Sequence, residues 1–310
     1  MHATSSRFTR LYWLHCLSPT HTGVGRGLGY IDLPIDRDPV TGKPLIRGSA
    51  LKGVWADYFR ATEEGRKTDP MLRAAFGTAG ANNEANAGSL IPADAHLVCL
   101  PVRSFRGTFA WATSPLTLQT LRRVLHLSGV AGLPEAPHDL ADDEAHHAEG
   151  DGVKTALTED GRIYLEDMDF SAAPCPIASQ WASRIAGWVF PDDPQWQEQF
   201  QRRFVVVPDV VFDYLCETGT EIHTRVRIKD ETKTVEGGAL WSEESLPAES
   251  ILMGVIQCDR VFLPNGEADE RIRPEDLLSR FASEPLLLQI GGKATVGRGQ
   301  VRCVYSEVTT

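Results

Sequence analysis

In the run GRGLGYIDLPI (25–35) a lone aspartate, Asp32, sits among glycines in a segment that otherwise suits phosphate. Downstream, Arg47 and Gly48 precede Ser49, a residue able to cap a helix, and Lys52 falls in its first turn. Free backbone N–H groups, the helix dipole and two cations would converge there, which makes a phosphate site. The same glycines and prolines can equally shape a turn with solvated cations. Asp32 is then either a turn former or a carboxylate that acts as a base or holds a divalent cation through oxygen. His21, just after Pro19 and Thr20, reaches the same loop, although a lone loop histidine is more often structural. Asp36 and Asp38 could complete a metal site with Asp32, but beside Arg37 and Pro39 they suit a hydrogen-bonded turn better.

Two further stretches carry cations. GGKATVGRG (291–299) places Lys293 and Arg298 on a glycine loop that a phosphate backbone could approach closely, or on a plain hairpin turn. It is not a nucleotide-hydrolysing phosphate loop, because Ala294 stands where Ser or Thr must hold magnesium. EIHTRVRIKDETKTVEGGALWSEESLP (221–247) mixes His223, Arg225, Arg227, Lys229 and Lys233 with Trp241. Such a hairpin suits a nucleic-acid strand, with cations on phosphates and an apolar wedge on bases, and its alternation is also that of any exposed hairpin. There is no G-x-S-x-G elbow and no H-E-x-x-H pair. His146 and His147 among acids read as part of a disordered loop rather than a metal site.

The elements that must position these residues follow from periodicity and punctuation. RLYWLHCLSP (10–19) reads as a buried strand, residues 20–48 as a long loop, and the Ser49 helix carries Leu51, Val54, Trp55, Tyr58 and Phe59 at helical spacing. SPLTLQTLRRVLHLSG (114–129) has a Ser cap, Pro at the first position and a closing Gly, which predicts a helix. Residues 201–219 predict a strand and a short helix, 221–247 a projecting hairpin, 250–263 a strand, 273–284 a helix, and 286–308 two strands around the glycine loop. Segments 77–95 and 131–152 read as mobile insertions. Strands interleaved with helices and antiparallel returns predict an α+β fold built on ferredoxin-like units, with two in tandem as one arrangement.

The 310 residues suffice for a sizeable core, and the formal charge is −11. That charge is segregated: residues 135–170 hold twelve acids and two bases, whereas residues 1–60 hold eight bases and four acids. A basic face can therefore exist on an acidic protein. The start MHATSSRFTR has no signal-peptide core, and no apolar run approaches the roughly 20 residues of a membrane span. Six scattered cysteines without a C-x-x-C pair point to buried free thiols, with neither disulfides nor a zinc site. The expectation is a cytoplasmic protein with no membrane partner.

Taken together, SPTHTGVGRGLGYIDLPIDRDPVTGKPLIRGSALKG, HTRVRIKDETKTVEGGALWSEESLP and IGGKATVGRG resemble the Cmr4-type family. That family is the repeated backbone subunit of type III-B CRISPR effector complexes, within the RAMP superfamily. The resemblance spans residues 10–60 and 200–305. It implies a single RAMP domain over 1–310 with an RRM-like (ferredoxin-like) palm and a thumb hairpin at 221–247. It also implies copies that stack along a guide crRNA beside other Cmr-complex subunits, and cleavage of paired target RNA at regular intervals with Mg²⁺ or Mn²⁺.

Residue by residue, the family's aspartate falls on Asp32 and its loop histidine on His21. Guide contacts fall around Arg47, Ser49 and Lys52, the thumb on 223–246, and a thumb glutamate on Glu243 or Glu244. RNA supplies its own nucleophile, the 2′-hydroxyl, so such an enzyme need only align it, assist its deprotonation and neutralise the phosphate. One carboxylate is too few for a protein metal cage, so RNA phosphates would complete the ligand set. Two other readings share these residues: a backbone subunit that binds and measures RNA without cutting, and a metal-free crRNA-processing ribonuclease that leans on His21. The insert 77–90 and the acids of 135–152 have no counterpart in the resemblance.

Overall fold

The computed structural model describes residues 8–27, 29–79, 85–138, 140–150, 152–229, 231–263 and 272–307. Its first half contains β1 (Thr9–Cys16), β2 (Leu45–Ile46), α1 (Gly48–Tyr58), α2 (Glu63–Thr68), α3 (Pro70–Phe76), β3 (Ile91–Pro92), β4 (Ala95–Arg103), β5 (Phe109–Thr113), α4 (Pro115–Leu127) and β6 (Glu144–His147). There follow β7 (Thr158–Glu159), β8 (Arg162–Leu165), β9 (Met168–Pro174), α5 (Pro176–Val189), α6 (Pro194–Arg203), β10 (Phe204–Val206) and α7 (Asp209–Thr218). The chain then runs through β11 (Glu221–Ile228), β12 (Val235–Ser245), β13 (Ile251–Gln257), α8 (Pro274–Phe281), β14 (Leu286–Gln289) and β15 (Gln300–Glu307).

β1 carries apolar residues on both sides of its pleat, which is what a strand covered on both faces requires. Tyr12 and Leu14 join Leu51 and Trp55 of α1 and Leu277 and Phe281 of α8 in one core. Leu11 and Trp13 join Leu121 and Leu125 of α4 and Trp181 and Ile185 of α5 in another, so helices cover both faces of the sheet. β1 lies between β13 and β15, antiparallel to each. The sheet runs in the order β14-β15-β1-β13-β4-β5-β10-β6-β9-β8-β7, with β2 on β4 and β3 on β13, while β11 and β12 form a separate hairpin. Pairing is antiparallel except at β10 with β5 and β6 with β9. This is an α+β fold, and the strands expected from two tandem units share one continuous sheet.

Several expectations change. Residues 201–203 belong to α6, whose Asp193 cap accepts the Trp196 N–H at 3.0 Å and whose Phe200 is buried, so β10 begins only at Phe204. The segment 131–152 is not simply a loop. Glu144–His147 enters the sheet between β10 and β9, with Ala145 and His147 buried and the acids Asp142, Asp143 and Glu149 left exposed. Within 77–95, β3 and the first residue of β4 are ordered strand, while 80–84 lie outside the described residues, as do Asp139 and Asp151. Ser114 caps α4 as its sequence predicts, accepting the Thr117 N–H. All six cysteines are free and five are buried. Among the described residues no helix is long and apolar enough to cross a membrane.

Candidate nucleic-acid interface

The long loop after β1 is a narrow ribbon. Gly23 pairs with Ile35, the Asp36 N–H donates to the Thr22 carbonyl at 2.8 Å, and the Gly27 N–H closes the tip on the Asp32 carbonyl at 2.9 Å. Both arms bond to the root of β12. Thr20 exchanges N–H bonds with Leu246 at 2.8 and 2.9 Å, and Leu33 pairs in parallel with Glu243 through bonds of 3.0 Å to Ser242 and Glu244. Asp32 thereby meets Ser242. Its Oδ2 accepts the Ser242 N–H at 2.8 Å and the hydroxyl at 3.0 Å, and its own N–H donates to Ser242 Oγ at 2.9 Å. These bonds, backbone first, and the nearby Arg26 charge hold the carboxyl below its usual value. Asp32 is exposed and ionised at neutral pH.

The next two residues of β12 are engaged as fully. Glu243 Oε1 accepts Lys293 Nζ and Trp241 Nε1, both at 2.7 Å, and Oε2 faces Arg225 Nε at 3.4 Å. Glu244 is fully buried, with Oε1 on Arg37 at 2.5 Å and on Thr220 at 2.8 Å, and Oε2 on the Ile35 N–H at 3.0 Å. The Glu244 carbonyl accepts His21 Nδ1 at 2.6 Å, so that nitrogen carries the proton in the neutral ring and the lone pair lies on Nε2. His21 is only 8% exposed, and a Cβ at Gly23 would come within 2.5 Å of its Nε2. The histidine thus packs inside the joint between ribbon, hairpin and glycine loop, where the Gly292 N–H bonds its carbonyl at 2.9 Å.

Burial pushes the Glu243 carboxyl up, and the Lys293 and Trp241 bonds and the Arg225 charge outweigh it, leaving the group below its ordinary 4.5. A carboxylate depressed in the folded state stabilises the fold above its unfolded value, and that stabilisation is lost as pH falls through the folded value. Lys293→Met removes the ammonium and leaves the burial. Its melting temperature is therefore expected to lie below that of the wild type at neutral pH, with the gap closing on acidification from about pH 6 as the wild-type carboxylate is protonated, and a gap that does not change with pH would refute the pairing.

The phosphate site expected at α1 is already filled. The helix begins at Gly48, one residue before the expected Ser49 cap, and the Gly48 N–H donates to Asp94 Oδ1 at 2.8 Å. Arg47 lies bidentate on Asp36 at 2.7 and 3.0 Å and reaches Asp94 at 3.1 Å. Two internal carboxylates thus stand where the phosphate was expected. Ser49 is exposed within the first turn. Lys52 is half-buried and donates to the Gly88 carbonyl at 3.1 Å, and burial lowers its pKa. On the hairpin, Glu221 takes both His223 at 2.9 Å and Arg298 at 3.2 Å, while Arg227 and Lys229 are exposed. Trp241 is half-buried and bonded, and the apolar residues that face solvent are Ile222, Val226, Ile228, Val235 and Leu240.

A model of the RAMP superfamily matches residues 13–302. The CRISPR system Cmr endoribonuclease Cmr4 of Pyrococcus furiosus is 32% identical over 302 residues, covering 96% of this chain and 96% of the relative. The chain belongs to the RAMP superfamily and, within it, to the Cmr4 family. The crystal structure of oligomeric Cmr4 from Pyrococcus furiosus superposes with a TM-score of 0.71 at 27% identity, covering 97% of this chain and 99% of the other. A chain of the type III-B Cmr-beta structure bound to cognate target RNA shares the fold, with a TM-score of 0.68 at 19% identity, covering 96% of this chain and 97% of the other.

In this Cmr4-family chain no group of three His, Cys, Asp or Glu residues suited to a metal ion occurs among the described residues. Asp36 is committed to Arg47. Asp38 is a turn former, its Oδ1 accepting the Val40 and Thr41 N–H groups at 3.0 and 2.8 Å. His146 bonds Glu144 at 2.9 Å. Among the described residues no set of protein ligands alone would hold a cation, and the exposed Asp32 carboxylate could contribute one oxygen ligand to a cation otherwise held by phosphate and water. The sequence reading missed Ser242, Arg37 and Asp94. Each meets its partner far along the chain, and neither spacing nor periodicity signals such a contact.

Proposed function

We propose that this chain is the repeated backbone subunit of a type III-B CRISPR effector complex, which holds a guide crRNA and cuts paired target RNA at regular intervals. The observation that carries this reading is Asp32: exposed, ionised, and fixed by Ser242 to the hairpin that would enter the duplex. An ionised carboxylate beside the ribose–phosphate can take the 2′-hydroxyl proton and orient that oxygen for in-line attack. Mg²⁺ or Mn²⁺, when bound by Asp32 with RNA oxygens, would supply charge neutralisation on the phosphate. His21 acts as a positioning residue, since its Nδ1–H is committed to the hairpin backbone and its ring is buried. That burial also weighs against the crRNA-processing reading, which needs an accessible histidine.

Arg225, Lys293 and Arg298 reach RNA only by sharing or exchanging their carboxylate partners, and the same holds for Arg47. Lys229 and Arg227 project from the hairpin toward solvent, and its aliphatic face is the wedge. We read β15-β1-β13-β4 as a ferredoxin-like palm. The support is their wholly antiparallel order, with α1 crossing from β1 to β4 and α8 from β13 to β15 on one face. Further copies of the chain and other Cmr subunits are the expected partners, and the free buried thiols suit a reducing cytoplasm.

The test is to co-assemble the complex on a guide and follow end-labelled complementary RNA. The expected outcome is a ladder of evenly spaced products, abolished by EDTA and absent for non-complementary RNA. Full retention of target without cutting would favour the binding-only subunit, and EDTA-resistant cutting of free repeat RNA the processing enzyme.

A further inference from the structure

We infer that Tyr30 is a stacking platform for the target nucleobase beside the scissile phosphate and that Arg26 contacts that phosphate, an inference that rests on the placing of Asp32 at the cut. Tyr30 is 106% exposed, and its ring has neither aromatic nor hydrogen-bonding partner among the described residues. A single exposed apolar residue needs no explanation by itself. The position is what matters here.

Tyr30 sits at the ribbon tip two residues before Asp32, and Gly27 and Asp32 on either side of it are held together. The Gly27 N–H closes it on the Asp32 carbonyl at 2.9 Å, and a Cβ at Gly27 would fall 2.7 Å from the Ile31 carbonyl oxygen. Asp32 itself is clamped to Ser242. Arg26, exposed on the other arm, is the cation whose charge acts on that carboxylate. A cation, a flat ring and an anion therefore share a stretch of seven residues. They answer the phosphate, base and ribose hydroxyl of one nucleotide.

In-line attack by a 2′-hydroxyl requires the ribose–phosphate to leave regular helical geometry so that the 2′-oxygen, phosphorus and 5′-oxygen align, and a base displaced by that distortion loses its stacking neighbours. An exposed aromatic restores them, whatever the base. The other aromatic near this root, Trp241, is engaged by Glu243, and the exposed face of the hairpin is aliphatic, which suits a wedge better than a platform.

The experiment uses the assembled complex and a target carrying 2-aminopurine next to a cut position that is blocked by a 2′-deoxy sugar. Binding is expected to quench the emission in wild-type, Tyr30→Phe and Tyr30→Trp complexes, and severalfold less in Tyr30→Ala. With ordinary target, Tyr30→Ala is expected to lower the single-turnover rate about 10- to 100-fold with target affinity unchanged, while Tyr30→Phe stays near wild type. Arg26→Ala should lower the rate without altering the quench. Equal emission and equal rates in wild type and Tyr30→Ala would overturn the inference. Because the blocked target is never cut, the emission reports on Tyr30 whether or not Asp32 proves to be catalytic.

Discussion

Asp32→Asn is expected to leave the complex assembled on its guide and bound to its target, and to remove the proposed evenly spaced cuts, a fall of about 10²- to 10⁴-fold in single-turnover rate. The amide is isosteric. It keeps the backbone N–H to Ser242 Oγ and an oxygen able to accept the Ser242 N–H, so the ribbon stays docked on the hairpin. What disappears is the negative charge, and with it both the basicity and the affinity for a hard cation. The measurement is cutting rate against retained target in the same preparation. Unchanged cutting would remove Asp32 from the chemistry, whereas loss of target binding would make its role structural.

Glu244→Ala is expected to have the largest effect on stability, about 3–5 kcal/mol, as for a buried ion pair broken on one side. Glu244 is 1% exposed and satisfies Arg37, Thr220 and the Ile35 N–H together, so truncation leaves the buried Ile35 N–H and Thr220 hydroxyl without this acceptor and the Arg37 charge with only its Gly42 and Cys216 carbonyl partners. Thermal melting of the purified chain should show a drop of about 5–10 °C. Glu244→Gln, which keeps an acceptor oxygen, should lose less. A melt indistinguishable from wild type would mean that the joint between ribbon and hairpin is not held by this residue.

What could be read from the chain alone was what is local. Ser114 and Pro115 announce α4, and the alternation in EIHTRVRI announces β11, because cap and pleat are set by near neighbours. The cations at 47, 52, 293 and 298 were visible as residue types, but their carboxylate and carbonyl partners lie elsewhere in the chain, at Asp36, Asp94, Gly88, Glu243 and Glu221. Tertiary pairing thus gives each expected phosphate ligand an internal partner with which a phosphate must compete. The acids around 131–152 concealed β6 for the opposite reason. Only Ala145 and His147 face inward, too short a pattern to stand out against the charge.

Three consecutive residues of β12 each secure a different segment: Ser242 the ribbon tip, Glu243 the glycine loop, Glu244 the return arm and, through its carbonyl, His21. A one-residue slip there would exchange every partner at once, since neighbouring residues of a strand face opposite ways. Toward the tip the constraint lifts, because the pairing register already shifts between Val226 and Ile228. The hairpin can therefore be lengthened or shortened beyond Val226 while the root keeps its wiring. How far it reaches and what chemistry it anchors are two separately adjustable traits, open to evolution and to protein engineers alike.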